Sequence, residues 1–163
     1  MTNLSLKSLL ALCGTLSRHT LTPQDCYFAL WEGWGWIRGG HAHVRFTDND
    51  GPGEPMPSVF TPAELEAPRL RLPYRNYVVL RGPLSAMTAL VQWDGPKVWW
   101  TPSPSLFWPA DRSWCVATEI DFDSTLVGGS DAAVADVLNN PQLEALALDG
   151  DESLRAFADQ INI

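Results

Sequence analysis

The densest set of groups able to do chemistry in this chain is Glu119-Ile120-Asp121-Phe122-Asp123. In an extended backbone alternate side chains share a face, so Glu119, Asp121 and Asp123 line one side while Thr118, Ile120 and Phe122 line the other. Three carboxylates so arranged offer oxygen ligands to a hard cation such as Mg²⁺ or Ca²⁺, anionic partners to another protein's arginines, or simply a solvated strand face. His41 and His43 share a face if extended, but zinc needs further ligands at short range, and no cysteine or histidine stands at such a spacing. Asp48-Asn49-Asp50-Gly51 matches part of a calcium loop, yet that register needs an acid where Phe46 stands, so the segment reads as a turn. Arg69 and Arg71 share a strand face with Arg75 and Arg81 close by; this basic patch suits an anion, or answers the acidic C-terminal third within the fold.

Nucleophile signatures are missing. There is no Gly-x-Ser-x-Gly, no phosphate-cradling glycine loop and no Cys–His signature. Gly128-Gly129-Ser130 is a strand-to-helix turn, because Asp131 at the start of the helix repels an anion there. No metal ligand set and no cofactor are assigned. Eight tryptophans in 163 residues is the other unusual feature. Trp31, Trp108 and Trp114 lie in apolar context and are expected in the core. Trp34, Trp36, Trp99 and Trp100 lie in Gly/Pro-rich segments, where a ring either serves binding, since one indole buries a large area, or folds back over the sheet. With Arg112 and the three carboxylates, these four tryptophans form the candidate binding set.

The elements that would position these groups follow from periodicity. Leu6, Leu9, Leu10, Cys13 and Leu16 recur at helical spacing, predicting a helix near residues 4–18 capped by Asn3 or Ser5. Cys26–Trp31 reads as a buried strand, and the glycines of Glu32–Trp36 permit a tight turn or bulge. His41–Thr47 is a further candidate strand, and residues 48–57 form an exposed loop rich in glycine and proline. Arg69–Leu72 and Tyr77–Leu80 are strands either side of a Pro73 turn. Pro83 opens a short helix at its first position, with Leu84, Met87 and Leu90 on one face. Residues 92–113 read as irregular, and Trp114–Gly129 as one long strand or a hairpin. Ser130 caps a helix in which Val134, Val137 and Leu138 share a face, and Asn139-Asn140-Pro141 ends it. Leu143–Leu148 reads as a last strand, and Leu154, Phe157, Ala158 and Ile161 suggest a closing helix. Strands joined by short turns, without a βαβ rhythm, predict an α+β fold: one domain over 1–163, a largely antiparallel sheet and three to four helices packed on it.

Charge narrows the partners. Eleven basic and nineteen acidic side chains give a formal net charge of −8, opposite in sign to a nucleic-acid footprint. The imbalance is local: residues 1–110 carry nine basic and eight acidic side chains, whereas residues 111–163 carry two basic and eleven acidic ones. Such a tract suits a basic protein partner, or a solvated face. Cys13, Cys26 and Cys115 have no CxxC spacing and read as small buried hydrophobes of a reducing compartment. The stretch after Lys7 is too short for a signal-peptide core, and no run approaches a membrane span, so a cytoplasmic setting without membrane contact is expected.

The block Leu106-Phe107-Trp108-Pro109-Ala110-Asp111-Arg112-Ser113-Trp114-Cys115-Val116-Ala117-Thr118-Glu119-Ile120-Asp121-Phe122-Asp123-Ser124-Thr125-Leu126-Val127-Gly128-Gly129 resembles the signature of a family of actinobacterial hypothetical proteins. Tyr27–Gly33 and the Arg71–Pro83 segment fit the same family. That resemblance implies the domain limits and the cytoplasmic setting, and brings no catalytic residue. In size, acidity and aromatic-Gly turns such as Trp34-Gly35-Trp36 the chain is also similar to SUKH-type immunity proteins, small α+β domains that bind and neutralise toxins. The leading expectation is therefore a non-catalytic protein-binding module with a basic partner, for which the SUKH similarity implies the immunity, toxin-neutralising type. The alternative is a small metal-dependent enzyme or metal-binding domain using Glu119, Asp121 and Asp123.

Overall fold

The computed structural model describes residues 4–39, 58, 60–91, 103–118 and 124–150. The strands are β1 (Cys26–Trp31), β2 (Leu70–Leu72), β3 (Arg75–Gly82), β4 (Leu106–Pro109), β5 (Trp114–Thr118) and β6 (Thr125–Gly129). They form one antiparallel sheet in the order β2-β3-β1-β4-β5-β6. The helices are α1 (Leu6–Leu16), α2 (Gly35–Arg38), α3 (Pro62–Glu66), α4 (Met87–Val91) and α5 (Asp131–Leu138), with 3₁₀ turns at Ser17–His19 and Leu84–Ala86. This is the α+β architecture that the pattern of strands and short turns predicts.

Residue parity along β1 decides what lies on each side of the sheet. Cys26, Phe28 and Leu30 point one way. Through the register, Leu80 and Val78 of β3, Phe107 of β4, and Trp114 and Val116 of β5 share that side. Under Cys26 and Phe28 pack Leu9, Leu12, Cys13 and Leu16 of α1, Met87 of α4, and Ala133 and Val137 of α5. Under Leu30 and Val78 packs a second cluster with Ile37 of α2, flanked by Trp34, Phe60 and Leu65. Leu80 touches both clusters, so they form one continuous apolar layer. Its aromatic centre is Phe28 stacked on Phe107 at 6.4 Å, with Trp114 edge-on to Phe107 at 5.9 Å.

Local chemistry explains the helix ends. The Ser5 hydroxyl accepts from the Ser8 amide and caps α1, Thr61 and Glu64 form a reciprocal capping box on α3, and Ser130 accepts from the Ala133 amide at the start of α5. The apolar stripe of α1 is rotated from the one its spacing predicts. Leu12 is buried, whereas Leu6 and Leu10 are 37% and 41% exposed, because the sheet lies under the 9–12–13–16 side.

Several expectations need correction. The segment 92–113 is not wholly irregular: Leu106–Pro109 is a central strand. Prolines argue against a central strand because they cannot donate to the ladder, but Pro109 is the last residue of β4, beyond the Leu106 and Phe107 pairings with β5. Leu143–Leu148 is not a strand; Leu146 and Leu148 stand 88% and 51% exposed with no ladder to join. Pro83 is the extended cap before the 3₁₀ turn at Leu84–Ala86 rather than the first helical residue. Of the two readings of Trp114–Gly129, the hairpin holds: Trp114–Thr118 pairs antiparallel with Thr125–Gly129. The strand expected at 41–47, the loop 48–57 and the closing helix after 151 lie outside the described residues.

Candidate functional site

The other side of the sheet carries the odd residues of β1. Tyr27, Ala29 and Trp31 lie beside Arg81, Val79 and Tyr77 of β3. Trp108 and Leu106 of β4 lie across from Tyr27 and Ala29, and Ala117 of β5 and Leu126 of β6 continue the row. An antiparallel sheet that faces water on one side ordinarily alternates apolar-in with polar-out. Here both parities are apolar, and among the described residues every buried helical side chain belongs to the opposite side.

The aromatic residues on this face are organised. Tyr27 and Trp108 are cross-strand neighbours stacked at 5.6 Å with ring planes 20° apart. The Arg81 guanidinium lies 5.5 Å from the Tyr27 ring and Arg75 lies 4.9 Å from the Trp31 ring. Arg81 is itself oriented by Asp25, with Nε–Oδ1 2.6 Å and Nη2–Oδ2 2.7 Å. That bidentate pair holds the Asp25 carboxyl below its usual range. At the end of β1, Trp34 meets Trp31 edge-on at 5.5 Å. Gly33 is required there, since a β-carbon would collide with the Trp31 indole.

Ring stacking and exposed cation–π contacts are each worth about 1 kcal/mol. The apolar side chains of this face are half-buried, and Ala29 and Tyr77 are buried, so further covering gains only part of the about 1.5–3 kcal/mol that full burial of an aromatic or leucine gives. The contacts within the face therefore fix its rings but do not replace the stabilisation a covering surface supplies.

Of the candidate residues named from the sequence, Trp34 alone among the described residues reaches this face, through its edge-on contact with Trp31, and it also packs half-buried against the Leu30–Ile37–Val78 cluster on the helical side. Arg112 is exposed in the β4–β5 turn, left-handed at φ 56°, with its backbone amide donating to the Pro109 carbonyl at 2.9 Å. The Trp36 side chain, Trp99, Trp100, Glu119, Asp121 and Asp123 lie outside the described residues, as do His41, His43 and Asp48–Gly51. Of the three tryptophans expected in the core, only Trp114 is fully buried; Trp31 and Trp108 are half-buried on the aromatic face. Tyr27 was missed, Trp31 and Trp108 were expected in the core, and Arg75 and Arg81 were read as part of a basic patch; the one signal for this face was that both parities of Cys26–Trp31 are apolar or aromatic.

The basic patch is divided between tasks. Arg69 turns inward to Glu32 (3.6 Å) and to backbone carbonyls of Glu64, Leu65 and Ala67 around the end of α3, while Arg38 also pairs with Glu32. The acids met by Arg69 and Arg81 are thus Glu32 and Asp25, which flank β1, and not residues of the C-terminal third. That third reaches the N-terminal region through Asp136, which accepts from His19 at 2.8 Å and lies 3.4 Å from Arg18.

No family model matches the chain, and no curated protein or solved structure matches it. The site's chemistry therefore has to be read from its own groups. Burial pushes the Cys13 thiol up to about 12 and the Cys26 thiol up to about 11, so neither is a nucleophile at neutral pH. Among the described residues no group of three His, Cys, Asp or Glu could hold a metal ion, and no helix is long and apolar enough to cross a membrane. A shallow concavity of about 480 Å³ between α1 and the segment after α5 is lined by Lys7, Leu10, Arg18 and Gln142. On its wall the Asn140 amide donates to the Thr15 hydroxyl, and the lining includes no carboxylate, histidine or thiol. Cys115, expected to be buried with Cys13 and Cys26, is exposed on β5.

Proposed function

We propose that the chain is a non-catalytic protein-binding module that engages its partner through the aromatic face of the sheet. The observation that carries this reading is the apolar second face, where Tyr27, Trp108 and Trp31 are held by arginines and by one another. Rings fixed before contact lose little freedom on binding, which lowers the entropic cost of association. Tryptophan, tyrosine and arginine are the residue types that dominate interface energetics. The acidic tract 111–163 makes a basic protein the favoured partner, because opposite charge speeds encounter and disfavours wrong partners. A toxin of the kind that immunity-type proteins neutralise belongs to this class.

The test compares the intact chain with Trp108→Ala in affinity capture from the source cells, with cross-linking to map the contact. The variant should keep its circular dichroism spectrum and lose at least about tenfold in capture of the partner. A partner retained equally by Trp108→Ala, or cross-linked only to the helical side, would sink this reading.

A further inference from the structure

We infer that the outer edge of β6 accepts an extended, basic segment of a partner protein as an added strand. This rests on the protein-binding reading above and specifies how the partner's backbone is held. β6 closes one end of the sheet: Thr125–Gly129 pairs with Trp114–Thr118 on one side. Among the described residues neither a strand nor a backbone hydrogen bond reaches it from the other.

Sheet edges are ordinarily guarded by brevity, charge or proline, because a row of unpaired amides and carbonyls recruits another chain. The opposite edge has all three devices: β2 is three residues long, contains Arg71 and runs into Pro73. β6 has none of them. It is five residues, Thr-Leu-Val-Gly-Gly, with no charge and no proline, half-buried to exposed along its length. Nothing approaches a β-carbon built on Gly128 within 4 Å, so an incoming strand's side chain has room there. Leu126 and Gly128 lie on the aromatic side, so an added strand extends the same apolar surface.

Charge selects the occupant. The chain carries a formal net charge of −8, and one residue past β6, after the Ser130 cap, Asp131 stands exposed at the start of α5. A segment of alternating apolar and basic residues pairs its backbone with β6 while its cations answer that net negative charge. A second copy brings the same net charge, which disfavours pairing β6 with β6.

The test titrates the intact chain with a labelled peptide alternating Lys and Val, with the same peptide N-methylated at every backbone amide, and with a Glu–Val counterpart. Fluorescence anisotropy reads binding and hydrogen exchange reads its location. The Lys–Val peptide should bind and protect amides in Thr125–Gly129; N-methylation should weaken it by at least about tenfold, and the Glu–Val peptide should not bind. Absence of Lys–Val binding overturns the inference, as does binding that survives N-methylation or leaves Thr125–Gly129 unprotected. Concentration-dependent protection of β6 in the chain alone overturns it in favour of a second copy. The titration reads β6 amides while the capture assay reads Trp108, so either proposal can fail alone.

Discussion

Asp111 shows how much one exposed side chain can organise. Its Oδ2 accepts from the Thr20 hydroxyl at 2.8 Å and the Leu21 amide at 2.7 Å, and its Oδ1 accepts from the Ser113 amide at 3.1 Å. Partial burial pushes its pKa up, but these hydrogen bonds outweigh that and bring it from 3.8 down to about 2. A depressed carboxylate contributes stability that is present above its unfolded pKa and is lost as pH falls through the folded value. Asp111→Ala should therefore lower the melting temperature at neutral pH by about 3 °C, with the gap to the unmodified chain closing between about pH 4 and pH 2. Thermal melts across that range check it; a gap independent of pH would remove the carboxylate from the explanation. Only the Ser113 amide is local; the donors that tie Asp111 to the N-terminal region, Thr20 and Leu21, lie about ninety residues earlier, out of reach of a local reading.

Elements with local signals were legible, and those defined by distant partners were not. α1, β1, the β2–β3 hairpin and α5 follow from periodicity, turn residues and caps that sit within a few positions of one another. The cap on α5 is specific enough to test: Ser130→Ala removes the acceptor for the Ala133 amide and should cost about 1 kcal/mol in urea unfolding. Ser130→Asp should retain most of that stability; equal losses in both variants would show that the hydroxyl's packing, not capping, matters. β4 was illegible because four residues between prolines become a strand only when β1 and β5 flank them. The same pairing puts Tyr27 beside Trp108 on one face and Phe28 beside Phe107 on the other.

In the proposed binding, charge and surface apolarity act on different steps. The acidic tract works at long range, so the association rate with a basic partner should fall by about tenfold from low to physiological salt. Dissociation is governed by the desolvated aromatic contact and should change little over that range. Stopped-flow or surface-based kinetics at several salt concentrations separate the two; a salt effect confined to dissociation would place charge inside the contact. Part of the acidity is structural: Asp111 joins the chain before β1 to the β4–β5 turn, and Asp136 joins α5 to the end of α1.

The sequence by itself determined the α+β class, the caps of α1 and α5, the β2–β3 hairpin and the concentration of negative charge after residue 110, because each is written in neighbouring residues or in composition. Only the tertiary structure decided which side of each strand the helices cover. Tryptophans in equally apolar contexts met different fates: Trp114 entered the core, while Trp31 and Trp108 went to the opposite face. The physical reason is register. One residue's shift in strand pairing exchanges the two faces, and register here is set by contacts between β1, β3 and β4, whose positions in the chain are far apart.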